Sequence, residues 1–199
     1  MIHSILKNTK IVLASASPRR VDILKLVGLD FIQKPADINE DIVASDHINP
    51  TRYVRKIATE KCNTIQNLFP DDHLVIAADT IVYFDNKILG KPQNDEEAFY
   101  YLSALSGNTH IVYTALSVSF KGHTHNRVEK TSVKFKRLSD NEIHQYILTS
   151  EPFDKAGAYG IQGYGSQFIE KINGCFFNVM GFPVNLFYKL VAEISDFLS

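Results

Sequence analysis

Ser15, Ser17, Arg19 and Arg20 stand together in the run Ser15-Ala16-Ser17-Pro18-Arg19-Arg20. That set can hold a phosphorylated anion. Ser17 is a good helix N-cap, and Pro18 suits the first helical position, where its missing N–H costs nothing. The backbone N–H groups of such a helix start lack intrahelical partners and carry the positive end of the helix dipole. Two guanidiniums beside them add planar, bidentate donors for phosphate oxygens. The alternative for this run alone is an ordinary capped helix bearing two surface arginines.

Asp79 is the sharpest acidic candidate. It directly follows Val75-Ile76-Ala77-Ala78, so it is expected at the carboxyl end of a buried strand, where open α/β sheets place their ligands. A half-desolvated carboxylate there needs a cation, a metal or a chemical task; otherwise it simply bonds the following turn. Thr80 either contacts a ligand edge or begins a hairpin. Lys61 falls four residues after Ile57 and four before Ile65, on the apolar stripe of a helix. It either snorkels past the core or sends its ammonium into a cleft. Lys91 sits in the rigid turn Gly90-Lys91-Pro92, which could present it to a phosphate. Glu40 and Asp41 offer loop carboxylates that suit Mg²⁺, an ion that takes one or two protein oxygens plus substrate phosphates; the alternative is two solvated loop acids.

Other chemistries find little support. The seven histidines show no HxxxH or HExxH spacing, which argues against a zinc hydrolase. His110 is expected to be ordered at a strand start, with no obvious partner. Neither a GxSxG elbow nor a GxxxxGK[ST] loop occurs. A formal charge of −1 argues against a general duplex-DNA binder. Cys62 and Cys175 form no CxxC or zinc pattern, and reduced thiols in a cytoplasmic protein are expected. No apolar run approaches the roughly 20 residues that cross a bilayer, so no membrane partner is expected.

The elements that must position these residues follow from local pattern. A strand over 11–14 leads to a helix over 18–27 that Gly28 stops. A short strand at 31–34 and an acidic loop at 37–41 precede a helix opened by Asn49-Pro50 and running to about 69. The apolar run 74–78 reads as a strand covered on both faces. Strands 80–84 and 87–89 flank Asp85-Asn86 as a hairpin. Asp95 is expected to cap a helix to about 105, which Gly107 ends. Residues 109–120 and 127–138 read as a long antiparallel pair around Gly122. Ser139 opens a helix through 148 with a capping box to Glu142. The glycines at 157, 160, 163 and 165 suggest a loop whose backbone approaches a ligand closely. A strand over 167–172 and an amphipathic helix over 184–198 complete one continuous α/β domain (residues 1–199) with a mixed sheet.

An anion cradle, extra lysines and carboxylates able to hold a hard cation suit phosphoryl or nucleotidyl transfer to water. That chemistry needs neutralised phosphate oxygens, a positioned water and an acceptor for its proton. Six short motifs occur in register: Ser15-x-Ser17-Pro18-Arg19-Arg20, Ala77-Ala78-Asp79-Thr80, Lys91-Pro92, Leu105-Ser106-Gly107-x-x-His110, the stretch from Asp154 to Gly163, and Lys171-Ile172-Asn173-Gly174. On these the chain resembles the Maf family of nucleoside triphosphate pyrophosphatases over essentially its whole length. The resemblance implies an inosine-triphosphatase-like fold: an elongated mixed sheet flanked by helices, with two lobes and a deep cleft. It also implies conversion of a nucleoside triphosphate and water to the monophosphate and pyrophosphate, with a divalent metal such as Mg²⁺ or Mn²⁺. Members are commonly homodimers.

Carried over by position, Asp79 would be the proton acceptor that activates water. Ser15, Ser17, Arg19 and Arg20 would form the phosphate loop. Lys61 and Lys91 would touch the triphosphate, and Glu40 would add a metal carboxylate. Arg19, Thr80 and Gln162 match positions that tune substrate choice. The stretch from Gly157 to Gly163 resembles the subgroup acting on dTTP and UTP, with modified pyrimidine nucleotides as further candidates, rather than the one acting on 7-methyl-GTP. A side-chain amide at Gln162 could pair with the carbonyl and N–H edge of a pyrimidine. Two departures affect pocket shape: the bulky run from Phe176 to Pro183, and Gly90 where several relatives carry an acid. Competing readings are a nucleotide-binding regulator of septum formation with little turnover, and a phosphatase of monoesters.

Overall fold

The computed structural model describes residues 1–38 and 49–194. Seven strands form one mixed sheet in the order β2-β1-β3-β5-β6-β7, with β4 paired to β3. The strands are β1 (Lys10–Leu13), β2 (Ile32–Gln33), β3 (His73–Phe84), β4 (Lys87–Leu89), β5 (Thr109–Phe120), β6 (His123–Phe135) and β7 (Ile169–Asn173). β1 pairs in parallel with β2 and β3, while the pairs from β3 to β7 are antiparallel. The helices are α1 (Ile2–Ile5), α2 (Pro18–Leu26), α3 (Pro50–Gln66), α4 (Asp95–Leu105), α5 (Asp140–Ile147), α6 (Phe176–Val179) and α7 (Val184–Glu193). Three 3₁₀ turns occupy Glu151–Asp154, Ala156–Ala158 and Gly163–Phe168.

Alternation along β3 divides the cores. Val75 and Ala77 pack under α3 with Cys62 and Ile65, and Ile81 joins Val54 and Ala58 on the same side. Leu74, Ile76 and Ala78 face the other way, onto Ile23 and Leu24 of α2 and Phe187 and Leu190 of α7. Further along that second face, Val82 enters a separate core with Leu102 of α4 and Ile143 of α5. Between these two cores the paired residues are polar: Thr80 on β3 and Thr114 on β5. The sheet thus carries two apolar lobes on one face, separated by a polar seam.

The edge of β3 opposite β5 is interrupted. β1 accompanies β3 only as far as Ile76, where Ala14 N still donates to Ile76 O at 2.8 Å. β4 takes up that edge again at Val82. Between them, among the described residues, no strand lies on that edge beside residues 77–81. This gap places Asp79 and Thr80 at an open edge.

Several boundaries differ from the sequence reading. The expected strands 74–78 and 80–84 are one twelve-residue strand, so Asp79 is central rather than terminal. The equally long β5 pairs with β3 from Val75 to Tyr83 and carries it past the polar pair without a break. The cap of α4 is Asn94, whose side chain accepts from Glu97 N at 2.8 Å, and not Asp95. β6 starts at His123 rather than Arg127, because the tight turn at Lys121-Gly122, with both φ positive, lets pairing begin at Phe120↔His123. The capping box of Ser139 and Glu142 is present.

Candidate active site

The turn from β1 into α2 forms the first wall. Pro18 is the first residue of α2 and Ser17 occupies the cap position, but the Ser17 side chain makes no capping bond. Order comes instead from Ser15, whose Oγ accepts from Ser17 N at 3.2 Å and from Arg20 Nη1 at 3.0 Å. Arg20 is buried and also donates through Nε to Gly181 O at 2.9 Å and through Nη2 to Thr80 Oγ1 at 3.1 Å. It therefore braces the loop and Thr80 as well as lining the cleft. Arg19 turns to the opposite wall, where Nη1 meets Asp154 Oδ2 at 2.7 Å.

The second wall is α3. Lys61 does not snorkel to solvent; its Nζ donates to Asp79 Oδ1 at 2.8 Å, and the two side chains are 9% and 10% exposed. The ion pair satisfies both charges in a site that would penalise either alone.

The third wall is the loop after α5. Asp154 bonds Lys155 Nζ at 2.6 Å as well as Arg19. Burial pushes the Asp154 carboxyl up, but the hydrogen bonds from Lys155 and Arg19 outweigh it and hold the group below its ordinary value. The glycines of this loop pack closely against protein. Gly157 has φ +69°, and a Cβ there would stand 2.8 Å from Val82. Its N–H donates to Gly90 O at 2.9 Å, tying the loop to the turn that carries Lys91. This close approach is to β3, while Gly160 of the same loop lines the cleft. Gln162 and Lys91 are exposed at the rim.

These walls enclose a cleft of about 640 Å³ at the open edge of β3. Asp79, Lys61, residues 15–20, Thr80, Lys91 and Gln162 all line it. Glu40 lies outside the described residues. Among the described residues, five cationic side chains face the space (Arg19, Arg20, Lys61, Lys91 and Lys155), against three acids (Asp79, Glu97 and Asp154). Among these residues the excess is positive, in a chain whose formal charge is −1, which suits an anionic ligand.

The sequence reading missed Lys155 as an individual site residue, and it missed Thr114 and Asn178, which are wholly buried behind Thr80. Asn178 had one signal, a polar residue inside the apolar run Phe176-Phe177-Asn178-Val179-Met180. His110 does have a partner: its Nε2 lies 2.7 Å from the Tyr159 hydroxyl, and Tyr159 lines the cleft.

Among the described residues no cluster of three or more His, Cys, Asp or Glu side chains is arranged to hold a metal. Glu97 is engaged by Gln93 N and the Tyr101 hydroxyl, and Asp154 by Arg19 and Lys155. Asp79 is engaged by Lys61 and is the cleft carboxylate beside the Ser15–Arg20 turn. One carboxylate plus ligand phosphates is a donor set that suits Mg²⁺, so the residues present fit such an ion.

A mixed α/β sheet with a cationic cleft and a paired carboxylate at its open edge defines a phosphate-handling α/β protein. The sequence pattern described as Maf-like protein matches residues 10–194, and the chain belongs to the Maf family. It is 43% identical over 183 residues to a dTTP/UTP pyrophosphatase of Syntrophomonas wolfei, covering 91% of this chain and 95% of that one. A dTTP/UTP pyrophosphatase of Thermosipho africanus is 44% identical over 182 residues, covering 92% of each chain. Among solved structures, the Staphylococcus aureus Ham1 protein overlaps 81% of this chain and 80% of its own, at 16% identity and a TM-score of 0.44.

Proposed function

We propose that this chain hydrolyses dTTP and UTP to the corresponding monophosphate and pyrophosphate. The observation that carries the reading is the opening of Asp79, held by Lys61, onto the same cleft as the Ser15–Arg20 turn. The substrate assignment comes from relatives named dTTP/UTP pyrophosphatase that align over more than nine-tenths of the chain.

In this mechanism the triphosphate lies against the start of α2, with Arg19, Lys61 and Lys91 neutralising its oxygens. The nucleoside extends toward Thr80 and Gln162. A water oxygen bonds to the α-phosphorus as the link from that phosphorus to the α–β bridging oxygen breaks, and pyrophosphate leaves with the bond electrons. The water proton passes to the Asp79 carboxylate, whose orientation Lys61 fixes through Oδ1. A divalent cation such as Mg²⁺ or Mn²⁺ would be held by Asp79 with substrate phosphate oxygens, where it supplies charge neutralisation.

The test is product identification after incubation with UTP and Mg²⁺. UMP and pyrophosphate are expected. UDP and orthophosphate would move the chemistry to the γ-phosphorus and overturn the mechanism.

A further inference from the structure

The polar seam between the two lobes has a fixed hydrogen-bond direction. Thr114 has one hydroxyl hydrogen, and it is donated to Asn178 O at 3.0 Å. In the 3.0 Å contact between Thr80 Oγ1 and Thr114 Oγ1, the donor must therefore be Thr80. Thr80 also accepts from Arg20 Nη2 at 3.1 Å. A hydroxyl has one hydrogen and two lone pairs. One lone pair remains, on a residue that lines the cleft.

Asn178 ties the seam together. Its carbonyl accepts from both Thr114 and Gly181 N, the latter at 2.9 Å. Its Nδ2 bridges Val112 O at 3.1 Å and Thr131 Oγ1 at 3.0 Å. Gly181 O in turn holds Arg20 Nε. Gly181 has φ +99°, and a Cβ there would stand 3.2 Å from Thr80 Oγ1. Both arms that reach Thr80, through Thr114 and through Arg20, therefore lead back to Asn178. Thr114 and Asn178 are 0% exposed, and reversing the direction would give up the buried Thr114 bond and leave its oxygen 3.0 Å from Asn178 O with no hydrogen between them.

We propose that Thr114 and Asn178 are positioning residues that present Thr80 to the substrate as a hydrogen-bond acceptor only. Thr80 then reads a donor on the nucleoside, a sugar hydroxyl or a base N–H, and contributes nothing to phosphate oxygens, which themselves only accept. This inference rests on the nucleotide reading given above and adds which part of the substrate Thr80 meets and what sets its polarity.

The test is steady-state kinetics of the full chain on UTP, with inorganic tripolyphosphate as an inhibitor that lacks a nucleoside. Thr114→Val keeps the shape and removes the acceptor for Thr80. The expected result is a KM for UTP raised about fivefold, the worth of one hydrogen bond. The kcat and the inhibition constant for tripolyphosphate should both stay within about twofold of wild type, since no phosphate contact is lost. Thr114→Ser should restore the wild-type KM. If Thr114→Val does not fold, Thr80→Val provides the second reading: UTP binding weakens and tripolyphosphate binding does not. Equal weakening of both ligands in Thr80→Val, or a folded Thr114→Val matching wild type, overturns the proposal. A wild-type chain inert toward all nucleoside triphosphates removes the nucleotide reading, and this inference with it. An active wild type matched by Thr114→Val removes the inference alone.

Discussion

Lys61 Nζ lies 2.8 Å from Asp79 Oδ1 in a pair that solvent barely reaches, while Thr80, the next residue of the strand, faces the opposite side of the sheet. Successive strand side chains leave opposite faces, and a continuous sheet would keep these two apart. Here β1 has ended and β4 has not begun, so one cleft wraps around the bare edge of β3 and receives both. The ionic chemistry comes from the α3 side and the seam from the other.

Asp79→Asn tests the first half of that arrangement. The amide keeps the shape and an acceptor for Lys61 but cannot take a proton at neutral pH. Turnover of UTP should fall roughly 10²–10⁴-fold, with nucleotide affinity within a few-fold of wild type by calorimetric titration. Near-normal turnover would retire Asp79 as the proton acceptor.

The same pair separates stability from catalysis. Lys61→Met leaves a buried carboxylate without its ammonium and should cost about 3–5 kcal/mol in urea unfolding. Adding Asp79→Leu removes the buried charge and should recover most of that loss, while the doubly substituted chain stays inactive. Losses that simply add would show that the two charges do not depend on each other.

The sequence displays these parts unevenly. Ile11-Val12-Leu13, Ser17-Pro18 and Asn49-Pro50 announce β1, α2 and α3 because strand burial and helix starts are decided by near neighbours. The apolar stripe placed Lys61 on the packed face of α3 but left snorkelling and a cleft-facing ammonium as alternatives; which carboxylate it meets depends on how α3 lies on β3. Strand continuity through Asp79 depends on β5, some thirty residues later, and no local pattern carries it. Thr114 reads as one more strand residue until Asn178 O, 64 positions away, takes its hydrogen.

Gln162 stands exposed at the cleft rim, at the start of the turn Gly163–Phe168, and its side chain caps nothing there. An amide so placed can offer both a donor and an acceptor to a base edge. Gln162→Ala should change the ranking of UTP and dTTP over ATP and GTP, measured as kcat/KM ratios, more than the rate on the best substrate. An unchanged ranking would place base selection elsewhere in the cleft.

His110 predicts how stability responds to acid. Burial pushes its imidazole down from the ordinary 6.5 to about 3. Between those values the unfolded chain binds a proton that the folded chain refuses, so stability present at neutral pH is lost as pH falls below about 6.5. The loss is about 1.4 kcal/mol per pH unit. Asp154, Asp72 and Glu142 are all held below their ordinary carboxylate values of 3.8 to 4.5, so their contributions fade only at lower pH. Across pH 6.5 to 5 these carboxylates change little, and the difference between wild type and His110→Gln reads the histidine. In urea unfolding His110→Gln, which keeps a polar partner for the Tyr159 hydroxyl, should be less stable than wild type at pH 7, and that difference should shrink across the window by the slope given above. A difference equally large at pH 6.5 and 5 would mean that the folded state accepts the proton, and that His110 is not sealed behind Tyr159.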